Sequence, residues 1–379
     1  MLREGLGRGG ARVLRNASGL RVSVPADDEG PARHHLFPGE GALFHQVGAA
    51  LVHADPDQLA ALSGHTGNSF VSIEPERVVT AIQLAGAVAA EGGVSESTDT
   101  WGLQTTRVAE SRFSGRGVRV AVLDTGLDLQ HPDFVGRSIV SRSFVAGALV
   151  DDGNGHGTYC VGVACGPSSP SQLPRYGVAG DAELYVGKVI ADDGRGTDGS
   201  ILAGIDWAVR GGCAIVSLSM GSPVAVGEPY SPVYEQVAQR ALAAGTVIMA
   251  AAGNDSMRPD DIAPVDHPAN CPSILAIAAI DVYSRVAPFS CGGINGDGGE
   301  VNMAAPGVAI RSSWPRPVLY RTDSGTSMAT PCAAGVAALL AEANPTVRGR
   351  DLFALLSRSA RSLGLPVRDV GVGLIQAPL

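Results

Sequence analysis

Gly117 to Gly126 reads GVRVAVLDTG, an apolar run from Val120 to Leu123 that ends on Asp124 and a glycine turn. A strand covered on both faces, as in a parallel sheet, carries apolar side chains at successive positions rather than at alternate ones. The signature recurs in AELYVGKVI (Ala182 to Ile190), CAIVSLSMG (Cys213 to Gly221), TVIMAAAGN (Thr246 to Asn254) and SILAIAAID (Ser273 to Asp281). DGSILAGIDWAVRGG (198–212) and VYEQVAQRALAAG (233–245) lie between them, with helical spacing and a closing glycine. Strand and helix in alternation predict an α/β fold: a doubly wound, mainly parallel sheet with helices on both faces. Ligands in such a sheet meet the carboxyl ends of the strands. Polar residues close several of these runs: Asp124, Asn254, and Ser217 with Ser219.

Composition narrows the function. The chain has 379 residues, 45% hydrophobic and 17% charged, enough apolar content for a large core and too much for disorder. Its net charge is −9 and it contains no basic run, which argues against nucleic acid or an anionic membrane surface as partner. No segment approaches the ~20 uninterrupted apolar residues of a membrane span. Arg3, Arg8, Arg12 and Arg15 are not followed by an apolar stretch, so the N-terminus does not read as a signal peptide. That places the protein inside the cell, or outside it if a leader has been removed. The six cysteines form no C-x-x-C pair and several sit in apolar runs, which favours buried thiols over a zinc site and leaves a Cys271–Cys291 disulfide open.

The chain divides by composition. Residues 1–40 are rich in Gly, Arg and Pro and read as a loose arm. Residues 41–82 read as a small unit. VGAALVHA (Val47 to Ala54) suits a strand. A helix follows, with Asp55 as N-cap, Pro56 in its first turn and Gly64 as its stop. SFVSIEPERVV (69–79) then alternates like a second strand. Residues 83–100 are rich in Ala, Gly and Ser and suit an exposed linker, and 101–379 form the α/β domain.

Three motifs carry chemistry. DTG places Asp124 at a strand end. GHGT (Gly155 to Thr158) sets His156 between glycines, which lets other backbone approach the ring. GTSMATPC (Gly325 to Cys332) puts Ser327 at the start of a long apolar helix containing Pro331, where backbone N–H groups favour developing negative charge. Taken alone, each has a plain structural explanation: a turn, a satisfied histidine, an N-cap.

Together, in the order Asp, His, Ser, these motifs resemble the signature regions of the subtilisin-like serine peptidases. The resemblance runs from Trp101 to Leu379, closing segment GVGLIQA (Gly371 to Ala377) included. It implies a serine endopeptidase with Ser327 as nucleophile, His156 as general base, Asp124 orienting His156, and Asn254 in the oxyanion hole. DDGRGTDGS and SLSMG are similar to the family's two substrate-binding segments, which implies substrate contacts at Gly194, Arg195, Gly196, Ser217, Leu218, Ser219 and Gly221. An extended peptide would dock between these edges. VDHPANCP (265–272) resembles the turn at the base of the S1 pocket; it would put Asp266 there and favour a basic P1 residue. The small N-terminal unit resembles the family's inhibitory propeptide, an α+β ferredoxin-like fold, with processing expected in 83–100. Polypeptides and this unit are the implied partners.

No cofactor or metal is expected. Asp133 matches one ligand of a tight calcium site in relatives, but GPSSPSQLPRYGVAG (166–180) lacks the remaining carboxylates and amides. Calcium elsewhere is left open. Cys332 stands where the family most often has His, a structural position. Two other functions use the same fold: a peptide ligase or macrocyclase, in which an amine rather than water resolves the acyl-enzyme, and a pseudo-peptidase that only binds. The ligase needs the same triad, while the presence of every catalytic group argues against the pseudo-peptidase.

Overall fold

The computed structural model describes residues 10–24, 36–66, 72–82 and 95–379. The N-terminal part contains α1 (Gly10–Ser18), β1 (Arg21–Ser23), β2 (Glu40–Phe44), β3 (Ala49–His53), α2 (Pro56–Ser63) and β4 (Val78–Ala81). The larger part begins with α3 (Trp101–Thr105), β5 (Arg119–Asp124), β6 (Ile139–Ser143), α4 (His156–Cys165), β7 (Glu183–Lys188), β8 (Arg195–Thr197) and α5 (Asp198–Arg210). It continues with β9 (Ile215–Leu218), β10 (Met220–Gly221), α6 (Pro232–Ala243), β11 (Val247–Ala251), β12 (Leu275–Ile280) and β13 (Met303–Pro306). The hairpin β14 (Ile310–Trp314) and β15 (Leu319–Asp323) precedes α7 (Thr326–Ala343), α8 (Gly349–Ser359) and α9 (Val367–Val370).

All five apolar runs became strands of one seven-stranded parallel sheet, in the order β13-β12-β11-β9-β5-β7-β6. The chain leaves β5 toward β6 and β7 on one side, then crosses to β9, β11, β12 and β13 on the other. The carboxyl end of β5, which is Asp124, therefore sits at the switch point where a ligand crevice opens. β9, β11 and β12 are buried at every position, which is why their sequences show no polar alternation. α7, rich in Ala, packs on α4 and on β9, β11, β12 and β13. Its residues from Thr326 to Ala341 are all buried.

Residues 10–24, read above as part of a loose arm, instead form α1 and β1. The reason is a second small core: Ala11, Leu14, Leu20 and Val22 pack with Leu43 and Leu62. β1 pairs parallel with β2, and β2 antiparallel with β3. α2 starts where its caps require. Asp55 accepts from Gln58 N at 2.8 Å, the Gln58 side chain returns to Asp55 N at 3.1 Å, and Gly64 closes the helix. The second expected strand of this unit, 69–79, differs. Residues 67–71 lie outside the described residues, 72–77 form no strand, and the strand that follows, β4, pairs with the larger part rather than with its own unit. Residues 83–94 of the expected linker also lie outside the described residues. Among the described residues no helix is long and apolar enough to cross a membrane. The six cysteines are buried free thiols, so the Cys271–Cys291 bond is not formed.

Candidate active site

β5 and the first turns of α4 and α7 carry Asp124, His156 and Ser327. Asp124 and His156 are hydrogen-bonded, while Ser327 Oγ donates to the Ile82 and Ser219 carbonyls and not to His156. His156 Nδ1 lies 2.8 Å from Asp124 Oδ1, and Thr125 N donates to the same oxygen at 2.7 Å. His156 is 4% exposed and its Nε2 carries no hydrogen bond. Burial opposes the charged ring, but Asp124 and, behind it, Cys160 together outweigh it and hold the imidazole pKa well above its ordinary value. With Nδ1 engaged by the carboxylate, Nε2 is the nitrogen left to exchange a proton.

The loop before α4 fixes that ring. Asp152, buried, accepts from Gly155 N at 2.8 Å, Thr158 N at 2.7 Å, Asn154 N at 3.2 Å and Thr125 Oγ1 at 2.8 Å. Thr125 Oγ1 in turn accepts from Gly157 N at 2.8 Å, which ties α4 to the end of β5. A Cβ on Gly157 would lie 2.3 Å from Gly126 O, so the expected close approach of backbone beside His156 is real. The composition gave no sign of Asp152's role, because a carboxylate in DDGNG also reads as a turn residue.

Ser327 is held from below. Pro331 has no N–H, so the Ser327 carbonyl four residues back loses its helical partner. Ser219 Oγ donates to that oxygen at 3.0 Å and the Cys160 thiol reaches it at 3.5 Å. Cys160 shares a face of α4 with His156, its sulfur 3.8 Å from Nδ1, and burial pushes the thiol up to about 11, so it stays neutral. Asn254, just past β11, accepts from Thr326 N at 3.0 Å and Thr326 Oγ1 at 2.8 Å, which assigns its oxygen and leaves the amide nitrogen as the donor end.

The groove beside Ser327 is filled by the chain itself. β4 is the middle strand between β8 and β10, antiparallel to both. Val79 pairs with Gly196 and Thr80 with Arg195 on one side; Thr80 pairs with Gly221 and Ala81 with Met220 on the other. Ala81 N donates to Gly194 O at 2.9 Å and Ile82 N to Ser219 O at 3.3 Å. Ser327 Oγ then lies 3.2 Å from the Ile82 carbonyl oxygen. Of the expected contact residues, Gly194, Arg195, Gly196, Ser219 and Gly221 line this groove. Ser217 and Leu218 do not: both belong to β9, paired with β5 and β11 inside the central sheet. Met220, missed in the sequence, takes an edge position because the segment steps from β9 into β10 one residue later. Asp266 is buried behind Gly221 and Gly253.

The N-terminal unit reaches two helix starts. Glu74 accepts from Ser231 Oγ at 2.7 Å and Val233 N at 3.0 Å at the start of α6, and Glu76 from Gly199 N at 3.1 Å at the start of α5. Arg77 bridges Glu74 at 3.1 Å and Asp198 at 3.6 Å. Carboxylates at helix N-termini meet unpaired N–H groups and the positive dipole end. Asp133 accepts from Tyr176 Oη at 2.6 Å, Tyr320 Oη at 2.9 Å and Ser171 N at 2.7 Å, and its carboxyl is held below the usual range: burial opposes this and these hydrogen bonds prevail.

A parallel sheet with Asp, His and Ser at its switch point, and a peptide strand laid against the serine, defines a serine peptidase of subtilisin type. Residues 115–373 match the model of the subtilase family, and the chain belongs to that family. It is 37% identical to subtilisin BL of Lederbergia lenta over 281 residues, 73% of this chain and 96% of the relative. It is 35% identical to alkaline elastase YaB of Bacillus sp. (strain YaB) over 338 residues, 88% and 79% of the two chains. A crystal structure of a cold-adapted subtilisin-like serine proteinase superposes with a TM-score of 0.62 at 29% identity, covering 75% of this chain and all of that one. The protein is a subtilisin-like serine endopeptidase.

Proposed function

We propose that this endopeptidase first cleaves its own Ile82–Gln83 bond, and that residues up to Ile82 then stay in the groove as its inhibitor. The observation that carries this reading is that Ser327 Oγ lies within hydrogen-bond reach, 3.2 Å, of the Ile82 carbonyl oxygen, at the end of a strand paired on both edges. In the first step Oγ bonds to the Ile82 carbonyl carbon while His156 Nε2 takes the hydroxyl proton. Asp124 holds the ring in the tautomer that leaves Nε2 basic and stabilises the imidazolium. The Asn254 amide and the Ser327 N–H receive the oxyanion, a donor being worth about 3 kcal/mol of barrier. The carbon–nitrogen bond breaks as His156 returns the proton to the Gln83 amine. Water, activated by the same base, then releases Ile82 as a carboxylic acid.

The contacts of Glu74 and Glu76 with the starts of α6 and α5 explain why the product would stay bound. External polypeptides would use the same two edges after it leaves, with Asp266 selecting a basic P1 residue. Asp133 is served by three protein donors, which supports a fold that does without the calcium ion of relatives. The test is purification of wild type and Ser327→Ala side by side. Wild type should split into two fragments, the larger beginning at Gln83, while Ser327→Ala stays intact. A wild-type chain that remains whole, or a new N-terminus far from Gln83, would refute the reading.

A further inference from the structure

Lys188 is the chain's single lysine; arginine supplies the other basic side chains of its class. It ends β7 and is the register partner of Asp124 at the end of β5. Its side chain is 1% exposed. A buried ammonium is costly unless each of its three donors meets an acceptor. Here all three do, and each acceptor belongs to a different turn or loop. Nζ donates to Thr125 O, to Asp151 O at 3.1 Å and to Asp192 Oδ1 at 2.5 Å. Thr125 follows Asp124, Asp151 precedes Asp152, and Asp192 lies in the turn that leads into β8. A compact ammonium suits three converging acceptors better than the flat fork of arginine does.

Asp192 carries the connection onward. Its side chain is 57% exposed, yet it is held by the histidine loop as well as by Lys188. Its Oδ1 accepts from Gly153 N at 3.1 Å, and its carbonyl from Asn154 Nδ2 at 3.1 Å. A Cβ on Gly153 would lie 2.6 Å from Asp192 Oδ2, so the carboxylate rests directly on that loop. Asn154 Oδ1 then accepts from His156 N at 3.3 Å. Toward β8 the same turn is closed by Ala191 N donating to Arg195 O at 2.8 Å and Gly194 N to Ala191 O at 2.9 Å. Arg195 N also donates to Asp193 Oδ1 at 3.0 Å. Arg195, Gly196 and Thr197 are the residues with which β4 pairs. A continuous series of contacts therefore runs from the edge that holds β4 to the first residue of α4, and Lys188 ties it to the turn beside Asp124.

We propose that Lys188 and Asp192 are positioning residues that couple the β8 edge to His156, so that a peptide filling this edge raises turnover as well as affinity. Neither is among the residues paired with β4, so both act through others. An occupied β8 holds the 191–195 turn in place. Asp192 and Lys188 pass that constraint to Gly153, Asn154 and Thr125, which set His156 against Asp124. Binding energy gathered away from the scissile bond is thereby used on the geometry of the reacting groups. The inference rests on the reading of β8 as a substrate edge.

The experiment compares the p-nitroanilides of acetyl-Ala-Ile and acetyl-Val-Val-Thr-Ala-Ile, the second reproducing Val78 to Ile82. Each full chain is left to process itself, active sites are counted by titration, and kcat and KM are read separately. In wild type the longer peptide should show a lower KM and a kcat higher by about tenfold. Lys188→Met and Asp192→Ala should each bring that gain in kcat below about twofold, while the longer peptide keeps its advantage in KM. The double variant should lose no more of the gain than either single one, because the two residues act as a unit. A general weakening of the fold would instead lower kcat for both peptides by the same factor and leave the gain intact. That result overturns the proposal, and so does a wild type in which length changes KM alone. Asp192 is largely exposed, so its variant decides if Lys188→Met fails to fold. A wild type in which length changes neither constant would instead overturn the reading of β8 as a substrate edge.

Discussion

Asp152 makes the most exacting prediction, because it touches no substrate. Its carboxylate is 7% exposed and is the acceptor for three backbone N–H groups and the Thr125 hydroxyl. Asp152→Asn keeps the shape but puts an NH₂ group where one carboxylate oxygen stood. Oδ2 serves Thr158 N alone, so the amide's best orientation faces that donor with another donor. One charged hydrogen bond is then lost and one buried N–H is left unpaired, together about 2–4 kcal/mol. At about 2–4 °C per kcal/mol for a domain of this size, the melting temperature should fall by roughly 5–15 °C. Measuring it on the Ser327→Ala chain removes self-digestion from the result. His156 is the first residue of the helix this loop starts, so its ring should shift with the loop. A displacement of about 1 Å at a reacting group costs on the order of 100-fold, and kcat/KM in the active background should drop by about that factor. If melting moves by less than about 2 °C and turnover is unchanged, Asp152 does not hold the histidine loop and the account of that loop is wrong.

Three further outcomes follow from the geometry. Because Asp124 raises the His156 pKa, the neutral base should be lost as pH falls through a midpoint above the ordinary 6.5. A pH profile of kcat/KM whose acid limb lies below that value would contradict the Asp124–His156 coupling. A bulky organomercurial on Cys160, 3.8 Å from His156 Nδ1, should inactivate the wild type and spare Cys160→Ala. Equal loss in both would place the reactive thiol elsewhere. With Asp133 already served by Tyr176, Tyr320 and Ser171, a chelator should leave the melting temperature of Ser327→Ala within about 2 °C. A large drop would reveal a cation that supports the fold.

The sequence by itself determined the parts whose cause is local or periodic. A strand covered on both faces must be apolar at consecutive positions, so β5, β7, β9, β11 and β12 announced themselves. The caps of α2 could be read because a capping box spans only four residues. Asp124, His156 and Ser327 stood out because their three flanking motifs, taken together and in order, resemble those of the subtilisin family; singly each also reads as a turn, a satisfied histidine or an N-cap.

Tertiary structure alone decided what depends on partners distant in the chain. Val78 to Ala81 alternates like any half-buried strand, but its hydrogen-bond edges belong to residues more than a hundred positions later, and only the fold brings them alongside. α1 and β1 were hidden in a Gly- and Arg-rich stretch because their apolar residues find cover on residues from elsewhere in the unit, among them Leu43, Val52 and Leu62. Ser217 and Leu218 looked like groove residues because the sequence does not mark where β9 hands over to β10.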